Sequence, residues 1–382
     1  MNNYKRKADI SNFKKGAIVS QYSLKKNSIS CFTIAQLFFS NCLFLLFLKD
    51  KNLQLQFSII IPVYNRPKEI EELLTSLTKQ NFTDSFEVIV VEDGSKDDAK
   101  KIVKQFTHQL NINYFFKENS GAGLSRNFGM QKAMGNYFII LDSDVIVPEN
   151  YLANVKNGLT RKYTDSFGGP DKAHHSFTPL QKAINYSMTA VLTTGGIRGD
   201  KKASTTFQPR SFNMGISEKI FKITKGFSSQ KIGEDIDLTF RIWRNGFETQ
   251  LLENAFVYHK RRTFLKDFFK QTFAFGTQRP KLNKQYPETK KITYWFPSLF
   301  ILGLILSIIL LNFGYSILVL FFFIYFFVIL LDAFLKNKNV YVAVLAVITT
   351  LIQFVGYGLG FFKIYAKSII PHFTSNTSDR MK

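Results

Sequence analysis

The chain has 382 residues, enough for one large domain with an appendage or for two ordinary domains. Its net charge of +22 suits nucleic acid, an anionic membrane surface or a phosphorylated ligand as a partner. The Lys and Arg residues are scattered along the chain, which argues against nucleic acid. The two cysteines, Cys31 and Cys42, exclude a disulfide framework.

Residues 1–56 form a basic N-terminal extension with a weak apolar segment at 27–48. This segment carries no charge but contains several polar side chains. No small-residue cleavage site follows it, which argues against a signal peptide. An interfacial helix and a membrane span both remain open for it.

Residues 57–262 alternate between strand-like and helix-like patterns. The apolar run 57–61, closed by Pro62, predicts a buried parallel strand. Further strands are predicted at 86–91, 112–115 and 137–141, and helix-like spacing separates the first two: Ile70, Leu73, Leu74 and Leu77. The alternation predicts an α/β fold around a mostly parallel sheet, with ligands at the carboxyl ends of its strands.

Asp142 and Asp144 directly follow the predicted strand 137–141. Two carboxylates at this spacing can share Mg²⁺ or Mn²⁺, and a diphosphate can fill the remaining coordination positions. A turn with helix-capping acids is the alternative. His259 follows the apolar run 255–258 and is either a third metal ligand, a diphosphate contact or a structural histidine.

Three other motifs lie in predicted loops. Asp93 belongs either to a plain turn or to a site where it accepts a hydrogen bond from a nucleobase or ribose. Gly121 allows close backbone approach, and Arg126 offers a cation to a phosphate or a base carbonyl. Glu234 and Asp235 either favour a helix N-terminus electrostatically or include a base that takes a proton from an acceptor hydroxyl.

The C-terminal part is predicted to meet the membrane. Residues 263–291 form an amphipathic interfacial linker or a simple linker helix, and residues 292–366 hold two to three transmembrane helices. A turn is predicted at 312–315. The third apolar run contains three glycines that also allow a re-entrant course: Gly356, Gly358 and Gly360. A tail follows at 367–382, and the positive-inside rule places the Lys-rich domain in the cytoplasm.

Taken in order, the motifs resemble those of the family 2 glycosyltransferases, which have a GT-A fold. The resemblance covers residues 57–262 and rests on the following segments: Ser58 to Arg66, Val90 to Ser95, Gly121 to Asn127, Asp142 to Asp144, Asn213 to Ile216, Gly226-Phe227, Gly233 to Leu238, Arg241 and Gly246. Glu92 stands where the family more often has Asp.

The resemblance implies a role for each matching position. The nucleotide-sugar site would comprise Pro62, Tyr64, Asn65, Asp93, Gly121, Arg126 and Asp142. Asp93 would contact the nucleobase, and Asp142 would face the ribose and the metal. Asp144 would bind the metal, Mg²⁺ or Mn²⁺. Asp235 would be the catalytic base, with Glu234 beside it.

The expected function is inverting, metal-dependent transfer from a nucleotide diphosphate sugar, with UDP-sugars favoured. The acceptor would be a lipid-linked or other saccharide at the cytoplasmic face of the inner membrane, in surface polysaccharide or glycolipid synthesis. Residues 269–280 lack the Trp of the Gln-x-x-Arg-Trp signature of processive synthases, which favours addition of single sugars. A processive synthase and a non-catalytic membrane scaffold remain alternatives, whereas nucleic-acid binding rests on charge alone.

Overall fold

The structure, a computed structural model, describes residues 54–195 and 207–369. Within these ranges the strands are β1 Phe57–Val63, β2 Phe86–Asp93, β3 Ile112–Lys117, β4 Tyr137–Leu141, β5 Val145–Ile146, β6 Ser166–Gly168, β7 Asp171–Lys172, β8 Asn213–Ser217, β9 Thr249–Leu251 and β10 Val257–His259.

The helices of the described residues are α1 Pro67–Leu77, α2 Lys100–Gln105, α3 Ala122–Lys132, α4 Tyr151–Arg161, α5 Pro179–Thr189, α6 Val191–Thr194, α7 Glu218–Thr224, α8 Glu234–Arg244, α9 Leu265–Gln285, α10 Phe296–Leu311, α11 Ile317–Asn337 and α12 Val340–Ile369. Two short 3₁₀ turns, Pro287–Thr289 and Ile292–Trp295, lie between α9 and α10.

A mostly parallel sheet organises the first part of the chain, in the order β3-β2-β1-β4-β8-β6-β9. Strands β1 to β4 run parallel, whereas β8 runs antiparallel to both β4 and β6. The predicted α/β class is confirmed. A smaller sheet has the strand order β5-β10-β7. Its strand β5 follows the carboxyl end of β4 after a short connection.

Helices cover both faces of the large sheet because the strands are apolar on both sides. Ile59 and Ile61 pack in one core with the apolar side of α1. Ile60 faces the opposite core, where it lies with Met130 of α3 and Leu238 of α8. Alternating side chains of one buried strand therefore supply two separate cores, as expected for a parallel sheet.

Pro62 does not end the first strand as predicted, because β1 continues to Val63. The pairing of β1 with β4 stops at Ile60, whereas its pairing with β2 runs on to Val63. At Pro62 the strand therefore has a sheet neighbour on one side only. A residue without a backbone N–H is tolerated at such an edge-like position.

The C-terminal part of the described chain contains three helices long and apolar enough to cross a membrane, as predicted. They span Ile292–Leu311, Ile317–Asn337 and Val340–Ala366, with mean hydropathies of 2.3, 2.8 and 2.0. The predicted turn at 312–315 separates the first two. Residues 1–53 of the predicted extension 1–56 lie outside the described residues. Residues 370–382 of the predicted tail also lie outside them.

The glycines of the third apolar run lie in one continuous helix, α12, which packs closely against α9. A Cβ atom on Gly276 of α9 would lie 2.1 Å from the carbonyl oxygen of Tyr357, and one on Gly360 of α12 would lie 2.2 Å from that of Phe273. The absence of side chains at these positions allows the two helix backbones to approach.

Candidate active site

Three predicted metal ligands lie together where β4 ends. Asp142, Asp144 and His259 each offer one ligand atom, and these atoms lie within 4.8 Å of one another. All three side chains are partly exposed. The mixture of two carboxylates and an imidazole is a donor set that divalent cations such as Mn²⁺ accept.

Strand pairing explains how residues so distant in sequence meet. Strand β10 runs antiparallel to β5, with His259 opposite Val145. The backbone N–H of Lys260 donates to the carbonyl oxygen of Asp144 at 3.0 Å. His259 is thereby fixed beside Asp144, with its Nε2 at 3.4 Å from Asp144 Oδ1.

Asp144 is held in its ionised form. Burial alone would raise the pKa of this carboxyl, but His259 and Arg66 outweigh burial and hold its pKa well below the ordinary range. Arg66 Nη1 donates to Asp144 Oδ2. An ionised carboxylate is the form that coordinates a cation.

The geometry around Asp144 fits a bound metal. Its Oδ1 atom is buried, and the only described partner near it is His259 Nε2 at 3.4 Å, which does not form a well-aligned hydrogen bond. A buried carboxylate oxygen without a donor is costly unless a cation or water meets it. Asp142, Asp144 and His259 can therefore hold a metal ion, as predicted.

Arg126 joins the metal-ligand candidates to the second acidic motif. This buried side chain donates from Nη2 to Asp142 Oδ1 at 2.7 Å and from Nη1 to Glu234 Oε1 at 2.9 Å. One guanidinium thus connects the end of β4 with the start of α8. Its position between two carboxylates uses the fixed fork geometry of arginine.

The two candidate bases lie in different surroundings. Burial raises the pKa of Glu234; the ion pair with Arg126 acts in the opposite direction, and nearby Asp235 adds to the rise. Asp235 is 15% exposed, and its closest cation among the described residues is Arg210, at 3.9 Å. Of the two carboxylates, Asp235 is therefore the less committed to an internal ion pair.

The carboxylate of Asp93 accepts hydrogen bonds from the loop that precedes α3. Its Oδ1 accepts from Lys117 Nζ at 2.5 Å and from the N–H of Ser120 at 2.9 Å, and its Oδ2 accepts from the N–H of Gly121 at 2.8 Å. Burial would raise the pKa of Asp93, but these hydrogen bonds lower it below the ordinary value. Its contact with a nucleobase stays a prediction.

The loops that follow β1 and β2 are tied together through Asn65. Its N–H donates to Ser95 Oγ at 2.7 Å, and its Oδ1 accepts from the N–H of Lys96 at 2.9 Å. Tyr64, beside it, is 51% exposed and open to a ligand. Pro62 lies two residues before Tyr64, inside β1.

Several contributors to the site were not assigned from the sequence. Arg66 lies in the opening motif, but nothing local indicated that it would reach Asp144. Asp171 and Arg261 form a buried ion pair next to His259, whose Nδ1 lies 3.9 Å from Asp171 Oδ2. Ion pairs between residues so far apart in the sequence leave no local sequence pattern from which they could be predicted.

Comparison with known proteins shows what this part of the chain is similar to. The model for Glycosyl transferase family 2 matches residues 58–223. Chondroitin synthase of Escherichia coli is 27% identical over 235 residues, which cover 53% of this chain and 34% of that protein. An uncharacterized glycosyltransferase of Rickettsia conorii is 37% identical over 215 residues, which cover 51% of this chain and 33% of that protein. The matched regions thus span about a third of the length of these relatives.

Among solved structures, the mannosyltransferase PcManGT of Pyrobaculum calidifontis, in complex with GDP-Man and Mn²⁺, is similar to this chain. The two share 17% sequence identity with a TM-score of 0.48, over 60% of this chain and 64% of that one.

Proposed function

From a chain that contains a glycosyl transferase family 2 domain at residues 58–223, we propose metal-dependent transfer of a sugar from a nucleotide diphosphate sugar to an acceptor hydroxyl, with inversion. The observation that carries this proposal is the group of Asp142, Asp144 and His259 at the carboxyl end of a parallel strand. A divalent metal bound there would neutralise the charge of the departing diphosphate.

The protein's own side chains supply the rest of the chemistry. Tyr64 and the loop at Gly121 would bind the nucleoside, and Arg126 would keep Asp142 oriented. Asp235 would accept the proton of the acceptor hydroxyl as that oxygen attacks the sugar carbon. Attack from the face opposite the leaving diphosphate gives inversion.

The donor proposal is tested with nucleotides and metal on the full chain in detergent. UDP, GDP and dTDP are each added with Mn²⁺, with Mg²⁺ or with EDTA, and the unfolding temperature is recorded. A ligand that binds the folded form raises this temperature. We expect UDP with Mn²⁺ to give the largest rise and EDTA to remove it; equal, metal-independent effects of all three would refute the donor site.

The three apolar helices support a location of the proposed reaction at a membrane. We propose an inner-membrane location with the catalytic domain in the cytoplasm, because the positively charged domain and the Lys336–Lys338 loop would then share that side. With Cys31 and Cys42 replaced by Ser, a membrane-impermeant thiol reagent should label an added Tyr315→Cys in intact cells and spare an added Lys338→Cys. The reverse pattern would invert the orientation.

The acceptor is proposed to be a lipid-linked saccharide that receives a single sugar. The relative named chondroitin synthase favours a second candidate function, a polymerising enzyme. Product length separates the two. With one labelled donor sugar, single addition gives a product longer by one residue, whereas a long polymer from purified protein would establish the synthase.

A further inference from the structure

The small sheet β5-β10-β7 places a carboxylate on each side of His259. Strand β10, which carries His259, lies between the other two strands. On the β5 side, Asp144 Oδ1 lies 3.4 Å from His259 Nε2. On the β7 side, Asp171 is the register partner of Val257, two residues before His259. Because side chains two residues apart share one face of a strand, Asp171 and His259 lie on the same face of this sheet.

The second ring nitrogen of His259, Nδ1, faces two charged side chains. Asp171 Oδ2 lies 3.9 Å from it and Arg261 Nη1 lies 3.4 Å from it. Both side chains are buried, and Arg261 Nη2 donates to the same Oδ2 atom of Asp171. A guanidinium has donors only, whereas a carboxylate accepts. Of these two groups, Asp171 alone can therefore accept a proton from Nδ1.

The position of the imidazole proton decides whether Nε2 can bind a metal. A neutral imidazole carries its proton on one nitrogen, and only the other nitrogen has a lone pair for a cation. With Asp171 accepting from Nδ1, the lone pair of Nε2 is free on the side of Asp144. Without Asp171, Nδ1 would face the donors of Arg261, which favour the tautomer with the proton on Nε2. A carboxylate at the other nitrogen is a general device for orienting metal-binding histidines.

Helix α5 holds this ion pair in place. Asn185 Oδ1 accepts hydrogen bonds from Arg261 Nε at 3.2 Å and from its Nη2 at 3.0 Å. Gln181 Nε2 donates to the backbone carbonyl oxygen of Arg261 at 3.0 Å. The guanidinium is thus fixed at its side chain and at its backbone, and it fixes the carboxylate of Asp171 in turn.

We infer that Asp171, held by Arg261 and through it by Asn185 of α5, is a positioning residue for the metal site. It orients His259 and keeps the imidazole proton on Nδ1, so that Nε2 is available beside Asp144. The inference rests on the proposed function, since the metal is part of that proposal, and it extends the site from the metal ligands to α5.

The experiment measures Mn²⁺ affinity from the EPR signal of unbound Mn²⁺, with the purified full chain in detergent and UDP present. A protein-free sample corrects for Mn²⁺ held by UDP. The test variant combines Asp171→Leu with Arg261→Met, because an arginine left alone would be a buried unpaired charge, whereas apolar replacement of a whole buried ion pair is often neutral for stability. We expect its Mn²⁺ dissociation constant to rise about ten- to hundredfold, the usual effect of losing such a carboxylate.

The matched control makes the same changes at a half-exposed ion pair. Asp84→Leu with Lys156→Met should bind Mn²⁺ like wild type. The unfolding temperature of each variant shows that it is folded. If the Asp171 and Arg261 double variant does not fold, Asn185→Ala carries the test, because it keeps both charges. It should weaken Mn²⁺ binding severalfold through the loss of the hydrogen bonds to Arg261.

A His259→Ala background separates positioning from a general structural effect. If Asp171 acts through His259, its replacement should weaken Mn²⁺ binding in the presence of His259 and have little further effect in His259→Ala. The same fold-change in both backgrounds would overturn the inference, as would wild-type Mn²⁺ affinity in a folded variant. Absence of Mn²⁺ binding by the wild-type protein would instead refute the proposed function, and this inference with it.

Discussion

The hydroxyl of Tyr286 donates a 2.6 Å hydrogen bond to the buried carboxylate of Asp237. Asp237 lies in α8, two residues after the proposed base, and Tyr286 directly follows α9. The same carboxylate accepts two hydrogen bonds from Arg241. Helix α8, which carries Asp235, is thus hydrogen-bonded to the end of α9, the helix that packs against α12.

Replacing Tyr286 by Phe removes the hydrogen bond to Asp237 but keeps the aromatic ring in the core. We expect Tyr286→Phe to lower the free energy of unfolding by about 1–3 kcal/mol, because a buried carboxylate loses a donor. Thermal unfolding in detergent measures the effect. The matched control is Tyr315→Phe at an exposed turn, which should leave the unfolding temperature unchanged; equal effects of the two changes would contradict the structural role of Tyr286.

The proposed metal site predicts that Asp144 is needed for metal-dependent binding. In Asp144→Asn the Mn²⁺-dependent rise in unfolding temperature with UDP should disappear, because the amide cannot supply the anionic ligand. Asp84→Asn, which changes a half-exposed acid paired with Lys156, is the control and should keep the full rise. An undiminished Mn²⁺ effect in Asp144→Asn would place the metal elsewhere.

The proposed base predicts a loss of rate without a loss of donor binding. Asp235→Asn should lower the transfer rate about a hundredfold or more, the usual range for removing a general base. UDP binding with Mn²⁺ should persist, and Asp267→Asn at the outer side of α9 should transfer normally. Full activity of Asp235→Asn would favour Glu234 as the base, and activity retained in both single variants would mean that neither carboxylate is the base. Absence of transfer by the wild-type protein would support a non-catalytic scaffold.

The sequence was sufficient to predict the four parallel strands β1 to β4 and the acids that follow β4, but not the other three strands of the sheet. Ile59 to Ile61 and Ile139 to Leu141 are apolar on both sides, and Asp142 follows directly, so periodicity alone placed them. The sequence left His259 open as a metal ligand, a diphosphate contact or a structural histidine, since the pairing of β10 with β5 that sets it beside Asp144 involves only two residues on each strand. Such a short pairing has no detectable pattern.

Partners separated by long stretches of chain were harder to predict. Lys117 and Asp93 end adjacent parallel strands, so their ion pair depends on the register of β2 with β3. Arg210 reaches Asp235 from a segment without a recognisable motif. The glycines of α12 suggested a possible break, whereas the structure uses them for close packing, because the partner helix α9 also has a glycine at the contact.

The lowered pKa of Asp93 predicts how its contribution varies with pH. The folded state keeps this carboxyl ionised below its ordinary pKa of 3.8. Its stabilising contribution is therefore complete above about pH 4 and is lost as the pH falls further through the folded-state pKa. Asp93→Asn should accordingly unfold at a lower temperature than wild type at pH 7, and the difference should shrink below pH 4.

The measurement is thermal unfolding of both proteins between pH 3 and pH 7. Asp97→Asn, a change at an exposed acid in the neighbouring loop, serves as the control and should follow wild type throughout. A difference between Asp93→Asn and wild type that stays constant over this range would show that the carboxylate is not held ionised by Lys117 and the Gly121 loop.

The close approach of α9 and α12 predicts that Gly276 cannot be enlarged. In Gly276→Ala the new Cβ atom would lie 2.1 Å from the carbonyl oxygen of Tyr357, so the helices must separate. Overpacking of this kind costs about 1–3 kcal/mol. At Gly303 of α10 the nearest atom, Phe322 Cζ, would lie at 3.4 Å, an ordinary contact, and Gly303→Ala is therefore the matched control.

Because α9 contacts the helix of Asp235 through Gln285 and Asp237, displacement of α9 should affect catalysis as well as stability. We expect Gly276→Ala to unfold at a lower temperature than Gly303→Ala in the same detergent and to transfer sugar more slowly while binding UDP with Mn²⁺ normally. This combination would show that α12 positions the acceptor side of the site through α9. Similar unfolding temperatures and rates for the two variants would mean that the apolar helices anchor the enzyme without shaping its site.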